Sequence, residues 1–449
     1  MGFNSPEWFI ADLATIYAGG IATGIYITNS PETCQYCAEH SRANIIVVED
    51  EKQLQKILQI KHNLTHLKAI IQYNGIPTKK DVLSWDDLLD IGKKESEDKL
   101  LSVLKTIGIN ECCILVYTSG TVGNPKAVML NHDNVLFNLR TLLPLLHLKE
   151  KSEIIVSYLP LSHVAAQLID IVINITLAST VYFADPSALK GTLINTLLVA
   201  QPTFFIGVPR VWEKINEKMQ EKARNNGVIK TWIAEWAKAQ ALCYYTNKIN
   251  GIDYKHLGYV FAKWLIFDKV KAALGLNKCR TFVSSAAPLN IDIKKYFLSL
   301  DMPILEAYGM SECGGAQTII DIDKYSLNGV GRTLPGLCTK LYNIDEHGEG
   351  EICMSGRHIF MGYLNALEKT KETKDENGWL HSGDLGKLDS NGNLFISGKY
   401  IVLHLLILIF IIIFMKNNEL CKYIMYIMYI QCTRYPIKTV TILTFLRLF

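Results

Sequence analysis

Apolar positions recur at helical and strand spacings in alternation along the chain, with sharp punctuation between them. Trp8 to Tyr17 carries an apolar stripe that Ser5-Pro6 opens with a hydroxyl cap and a proline at the first helical position, and that Gly19-Gly20 ends. Ser30-Pro31 repeats the device for a helix to about His40. A short buried strand over Ile45 to Val48, a helix over Glu51 to Ile60, a strand over Leu67 to Gln72 and a capped helix over Ser84 to Ile91 follow. The apolar β-type run Cys113 to Tyr117 then empties into glycines and hydroxyls. Beyond it lie a helix from Asn131 to about Leu146 and a strand over Glu153 to Leu159. Such alternation predicts an α/β fold with parallel sheets, in which ligands sit at the carboxyl ends of strands.

From Val211 to about Leu274 the pattern is helical and amphipathic, and Trp212, Trp232, Trp236 and Trp264 are read as core rather than as a cofactor box. Two strands follow, Thr281 to Leu289 and Pro303 to Glu306. From Gly331 on, glycines and short β patterns predict a small turn-rich lobe that ends by delivering Lys399. The expected organisation is therefore 1–330, 331–399 and a different tail, 400–449. Val402 to Met415 is apolar except for His404, and a helix of that length rises about 21 Å against a hydrocarbon core of roughly 30 Å. Three readings of the tail stay open: a membrane anchor, an aggregation-prone segment, or sequence never selected to fold.

A chain of 449 residues exceeds what one hydrophobic core usually supports, so two or more lobes are expected. A formal charge of +3, with no basic stripe interleaved with aromatics, argues against a nucleic-acid partner. The 11 cysteines are an odd number, two of them adjacent at Cys112-Cys113. Cys34-x-x-Cys37 has no second pair to complete a zinc site, so free thiols in a reducing compartment are expected.

The candidate chemistry starts at Thr118-Ser119-Gly120-Thr121-Val122-Gly123-Asn124-Pro125-Lys126. Glycines let backbone approach an anion, N–H groups and hydroxyls donate to phosphate oxygens, and the lysine adds positive charge. It is not the Walker loop, because the lysine follows proline and no Ser or Thr follows it. Two strand ends downstream, Ser284 to Pro288 and Ala307-Tyr308-Gly309-Met310-Ser311-Glu312, offer small residues that leave room for a planar ring. Tyr308 offers a face to stack on that ring, and Glu312 offers a hard oxygen for Mg²⁺. Asp384, between glycine and an apolar pair, suits ribose hydroxyls. Singly, each has an ordinary reading: a surface turn with a solvated lysine, a loop, an aspartate capping its own turn.

Together, Tyr117 to Lys126, Tyr308 to Glu312 and Ser382-Gly383-Asp384 resemble the adenylate-forming superfamily, and within it the AMP-forming long-chain acyl-CoA synthetases. The opening, Gly2 to Leu13 and Gly20 to Tyr26, is similar to the bubblegum-type very-long-chain enzymes. The resemblance implies the large multi-lobe α/β domain of that superfamily with its small β lobe. It also implies a long-chain fatty acid, ATP and coenzyme A as substrates, with Mg²⁺. Thr118, Ser119, Gly120, Thr121, Gly123 and Lys126 would hold the phosphates. Ala286, Glu306, Ala307, Tyr308, Gly309, Met310 and Ser311 would line the adenine and α-phosphate site. Glu312 would bind Mg²⁺, Asp384 the ribose, and Lys399 stands where the family carries arginine. His163 would lie at the mouth of the acyl pocket, although alone it reads as a satisfied core histidine. The roles in catalysis would fall to Lys126, Thr118, Glu312 and His163.

Ala127 replaces the glycine that usually ends the loop motif. The family's C-terminal lid and its lysine are expected just after Lys399, and its first strands before Gly2. Neither is found there, so impaired turnover is expected. A non-catalytic, membrane-attached nucleotide or acyl-binding remnant is the alternative. The expected location is cytoplasmic, or at the endoplasmic reticulum or another intracellular membrane.

Overall fold

The computed structural model describes residues 1–118 and 124–399. Helix starts set by local chemistry fall where the sequence predicts them. Ser5 Oγ accepts the Trp8 N–H at 3.2 Å to open Pro6–Tyr17. Ser30 and Asp50 do the same for Pro31–His40 and Glu51–Ile60. Ser84 with Asp87, and Asn131 with Asn134, form reciprocal caps for Trp85–Gly92 and His132–Leu146.

Parallel pairing organises most of the α/β part. Ile45–Val48, Ala69–Gln72 and Leu83–Ser84 form one parallel sheet. Ile154–Ser157 pairs in parallel with Thr180–Phe183. Phe204–Gly207, Thr281–Ser284 and Ile304–Tyr308 run parallel in a sheet that Thr318–Ile319 and Arg332–Thr333 complete antiparallel. Helices cover these sheets, and the cores beneath them are continuous from Cys113 and Val128 to Val283 and Leu305. The strand expected over Thr281 to Leu289 ends at Ser284, because the polypeptide turns there through Ala286 at φ +77°.

The strand that feeds the glycine-rich stretch departs from the parallel pattern. Cys112–Thr118 pairs antiparallel with Lys126–Asn131, closing at Thr118 opposite Lys126. The two flanking strands thus form a hairpin, and the helix His132–Leu146 starts only after the second strand. Chain length forces this: seven residues, 119 to 125, separate the strands, whereas a parallel crossover needs about a dozen or more. Ala22–Gly24 joins this sheet in parallel on one side and Gly362–Tyr363 antiparallel on the other.

Cys338–Tyr342, Gly350–Ser355, Leu380–Leu388 and Leu394–Lys399 make an antiparallel sheet of their own. The helical stretch resolves into Pro209–Arg224, Val228–Ile249 and a run from Leu257 to Ala273 that widens to a π-turn at Lys263–Phe267. Core burial of its tryptophans holds for Trp212, which is fully buried, and partly for Trp236. It fails for Trp232 and Trp264, which are 71% and 68% exposed. Helical spacing aligns residues into a stripe but does not say which stripe is covered. Among the described residues every cysteine is a free thiol. No described helix is long and apolar enough to cross a membrane, and the tail 400–449 lies outside the described residues.

Candidate active site

Lys126 opens the second strand of the hairpin, opposite Thr118, whose hydroxyl lies 3.5 Å from the Lys126 carbonyl oxygen. Tyr363 pairs with Val128 on the neighbouring strand and places its ring under the Lys126 ammonium, 4.6 Å from Nζ to centroid. The Tyr363 hydroxyl then donates to Glu312 Oε1 at 2.6 Å. Burial first, and the Glu312 carboxylate second, push the phenol pKa upward, so Tyr363 stays a donor. Glu312 is itself buried in a short turn, and its carbonyl oxygen accepts the Phe360 N–H at 2.9 Å, tying the two segments together. A lysine, a tyrosine and a glutamate from three separated segments thus meet at the end of the hairpin where Thr118 faces Lys126. Ser119, Gly120, Thr121 and Gly123 lie outside the described residues.

A second cluster gathers at the carboxyl end of Ile304–Tyr308. The Tyr308 hydroxyl donates to Asp384 Oδ2 at 2.9 Å, and Lys399 faces Asp384 across the small sheet with Nζ 3.9 Å from Oδ1. Burial raises the Asp384 pKa above the ordinary carboxylate value, while the Tyr308 hydroxyl and Lys399 work against that rise. Tyr308 is itself mostly buried, so it is the hydroxyl edge that meets Asp384. Gly309 is required by its surroundings: a Cβ there would fall 1.9 Å from the Gly315 carbonyl oxygen.

Glu306 is engaged elsewhere. Its carboxylate is buried between the Lys294 ammonium, 2.8 Å from Oε2, and the Leu289 N–H, 3.0 Å from Oε1. It clasps the turn from Ser284 to Leu289 to the strand, and that turn carries Ala286 in a left-handed conformation an alanine adopts only under constraint. Ala307 lies on the same strand, with Met310 and Ser311 in the turn after Gly309.

His163 stands apart from both clusters. Its Nδ1 accepts the Ala165 N–H at 3.2 Å and caps the short helix Val164–Ala166, and burial lowers its pKa. Sequence reasoning missed Tyr363, which links Lys126 to Glu312, and Lys294, which neutralises Glu306. Met361-Gly362-Tyr363 marks a short β segment, but no local signal announces its pairing with a strand more than two hundred residues earlier. A cavity of about 520 Å³ between Pro6–Tyr17 and the edge strands Ala22–Gly24 and Ile45–Val48 encloses Asp12, and no candidate residue lines it.

The chain is similar to known proteins over most of its length. The profile of the AMP-binding enzyme family matches residues 1–364. The long-chain-fatty-acid–CoA ligase ACSBG2 of Gallus gallus is 48% identical over 406 residues, 89% of this chain and 53% of that protein. ACSBG1 of Rattus norvegicus, a ligase of the same name, is 45% identical over 407 residues, 89% of this chain and 56% of its own. The chain therefore spans little more than half the length of these curated relatives. Among solved structures, the N-terminal domain of FACL13 from Mycobacterium tuberculosis superposes with a TM-score of 0.63 at 17% identity, covering 88% of this chain and 84% of that one. The family match spans both clusters except for Asp384 and Lys399, and on it the chain belongs to the AMP-binding enzyme family.

Proposed function

We propose that this chain carries out the adenylate-forming step of a long-chain fatty acid:CoA ligase, joining a fatty carboxylate to ATP as acyl-AMP for transfer to coenzyme A. The observation that carries the reading is the meeting of Lys126, Tyr363 and Glu312 at the end of the hairpin where Thr118 faces Lys126. The names of the similar ligases support the long-chain acid and coenzyme A as substrates.

A fatty carboxylate and the α-phosphate of ATP are both anions, so the barrier is repulsion and poor alignment, which a site lowers by neutralising and positioning. Lys126 would answer phosphate charge, with its ammonium steadied over the Tyr363 ring. Tyr363 engages one oxygen of Glu312, and the other is the kind of hard ligand Mg²⁺ takes; a single carboxylate suits an ion that keeps waters and phosphate oxygens as its other ligands. Bound there with ATP, Mg²⁺ would neutralise phosphate charge. Asp384, held by Tyr308, would accept the ribose hydroxyls, and Lys399 would add a cation beside them. The carboxylate oxygen attacks the α-phosphorus, the bond to the bridging oxygen breaks, and pyrophosphate leaves. The coenzyme A thiol then loses its proton and attacks the acyl carbon, expelling AMP. Each methylene of the acid taken from water adds about 0.8 kcal/mol, which is how an apolar site favours long chains.

Incubation of the full chain with palmitate, ATP, Mg²⁺ and coenzyme A, read by mass spectrometry, tests this. Acyl-AMP and palmitoyl-CoA that vanish in Lys126→Ala support the reading. Absence of both from protein that binds ATP overturns it.

A further inference from the structure

The small antiparallel sheet holds a group of side chains that the adenylation chemistry does not use. Glu351 and Cys353 project from Gly350–Ser355, and His381 from the paired strand Leu380–Leu388. His381 Nδ1 lies 2.9 Å from Glu351 Oε2 and 3.5 Å from Cys353 Sγ. One ligand atom from each residue falls within 4.8 Å of the other two. On its far side, His381 Nε2 faces Asp375 Oδ2 at 3.6 Å. Asp375 is fixed in turn, because its Oδ1 accepts the Asn377 and Trp379 N–H groups at 2.9 and 2.8 Å.

We propose that Glu351, Cys353 and His381 form a Zn²⁺ site, with Asp375 orienting the imidazole from behind and water completing the tetrahedron. Three features carry this. The donor set is one thiol, one imidazole and one carboxylate, the mixture zinc takes. Ligand atoms about 2.0–2.3 Å from a tetrahedral zinc stand ~3.3–3.6 Å from one another; His381 Nδ1 and Cys353 Sγ at 3.5 Å meet that, His381 Nδ1 and Glu351 Oε2 at 2.9 Å part by a few tenths of an ångström to admit the ion, and all three ligand atoms lie within 4.8 Å of one another. Both imidazole nitrogens face acceptors, so Nδ1 has two neighbours competing for what a single proton can offer. A cation at Nδ1 serves Cys353 and Glu351 together, while the Nε2 side faces Asp375 at 3.6 Å, the carboxylate placed behind the imidazole. Cys353 is wholly buried, but the His381 and Glu351 side chains are 22% and 14% exposed, which leaves an entry path. Binding releases the Cys353 thiol proton to water, leaving thiolate on the metal. The site also braces the nucleotide side of the sheet, since Glu351 Oε1 accepts the Gly383 N–H at 3.0 Å, one residue before Asp384.

Co²⁺ titration of the full chain, after treatment with a chelator and a reductant, tests the site without reference to catalysis. The expected result is one equivalent of Co²⁺ with a sulfur-to-cobalt charge-transfer band that one equivalent of Zn²⁺ abolishes. The band disappears in Cys353→Ser and persists in Cys243→Ser, which removes an exposed thiol elsewhere. Asp375→Asn keeps the turn bonds to Oδ1 and keeps the band at saturation, with Co²⁺ affinity about 10–100-fold weaker. Absence of the band overturns the proposal. A band that survives Cys353→Ser, or unchanged Co²⁺ affinity in Asp375→Asn, also overturns it.

Discussion

Replacing Asp384 by alanine isolates the contact assigned to the ribose. The carboxylate has two oxygens; Tyr308 occupies one direction at Oδ2 from 2.9 Å, and Lys399 stands 3.9 Å from Oδ1. Hydrogen bonds to a charged group are worth about 1.5–3 kcal/mol each. Two such bonds to ribose hydroxyls, discounted for the water they displace, put the loss near 3 kcal/mol, about 100-fold in the ATP dissociation constant. Tyr308→Phe removes only the bond that orients the carboxylate, so it weakens ATP binding by about 1 kcal/mol, roughly fivefold. The acid limit moves as well. Because burial raises the Asp384 pKa, ATP affinity is retained above that pKa and falls as the pH drops through it, sooner than for a surface aspartate. The Tyr308 hydroxyl holds the pKa down, so the fall begins at still higher pH in Tyr308→Phe. Titration calorimetry with ATP at several pH values measures both effects. An Asp384→Ala chain that is folded and binds ATP within about twofold of the wild type would refute the assignment.

Tyr363 separates two contacts in one residue. Tyr363→Phe keeps the ring under Lys126 and removes only the bond to Glu312, about 1 kcal/mol, whereas Tyr363→Leu also forfeits a cation–π contact of ~0.5–2 kcal/mol. ATP affinity should therefore fall further in the leucine variant; equal losses count against the ring contact. Glu306→Gln leaves Lys294 buried without its charge partner, a loss of about 3–5 kcal/mol in urea unfolding. Combining Glu306→Leu with Lys294→Met should recover most of it, and a Glu306→Gln chain as stable as wild type contradicts the ion-pair role. Asp170 is buried and its pKa is raised to about 7, chiefly by desolvation, with the Ser157 hydroxyl opposing. A carboxyl that binds its proton more tightly when folded loses stability as pH rises from its unfolded value, 3.8, towards 7, on the order of 4 kcal/mol. Asp170→Asn should be the more stable chain at pH 8 and lose that advantage near pH 4; parallel stability curves contradict it.

The parts of the fold fixed by three or four neighbouring residues were legible in the sequence. Ser5-Pro6, Ser30-Pro31 and Asn131 each state a helix start because cap and acceptor are nearly adjacent. Pairing between distant segments was not. The strand Lys126–Asn131 reads as a second apolar run, and its antiparallel pairing follows from how few residues separate it from Thr118 rather than from its own residues. Trp232 and Trp264 have the spacing of core residues but lie on uncovered stripes, which depends on what packs against them. Within the site, residue type suggested the chemistry of Lys126, Glu312 and Asp384, since a lysine, a hard carboxylate and a ribose acceptor are each needed. Residue type could not show that Tyr363 joins the first two, that Tyr308 presents its hydroxyl to the third, or that Glu306 turns inward to Lys294. Those depend on contacts that span from 12 positions of sequence, Lys294 to Glu306, to more than two hundred, Lys126 to Tyr363.

Fatty-acid-dependent exchange of labelled pyrophosphate into ATP tests the central claim most directly, because it reports the adenylate-forming step before any thioester is made. The account predicts exchange that requires both a long-chain acid and Mg²⁺ and that falls about 10²–10³-fold in Lys126→Ala, as removal of a group opposing transition-state charge does elsewhere. Folded, ATP-binding chain that shows no acid-dependent exchange, or exchange undiminished by Lys126→Ala, would contradict it.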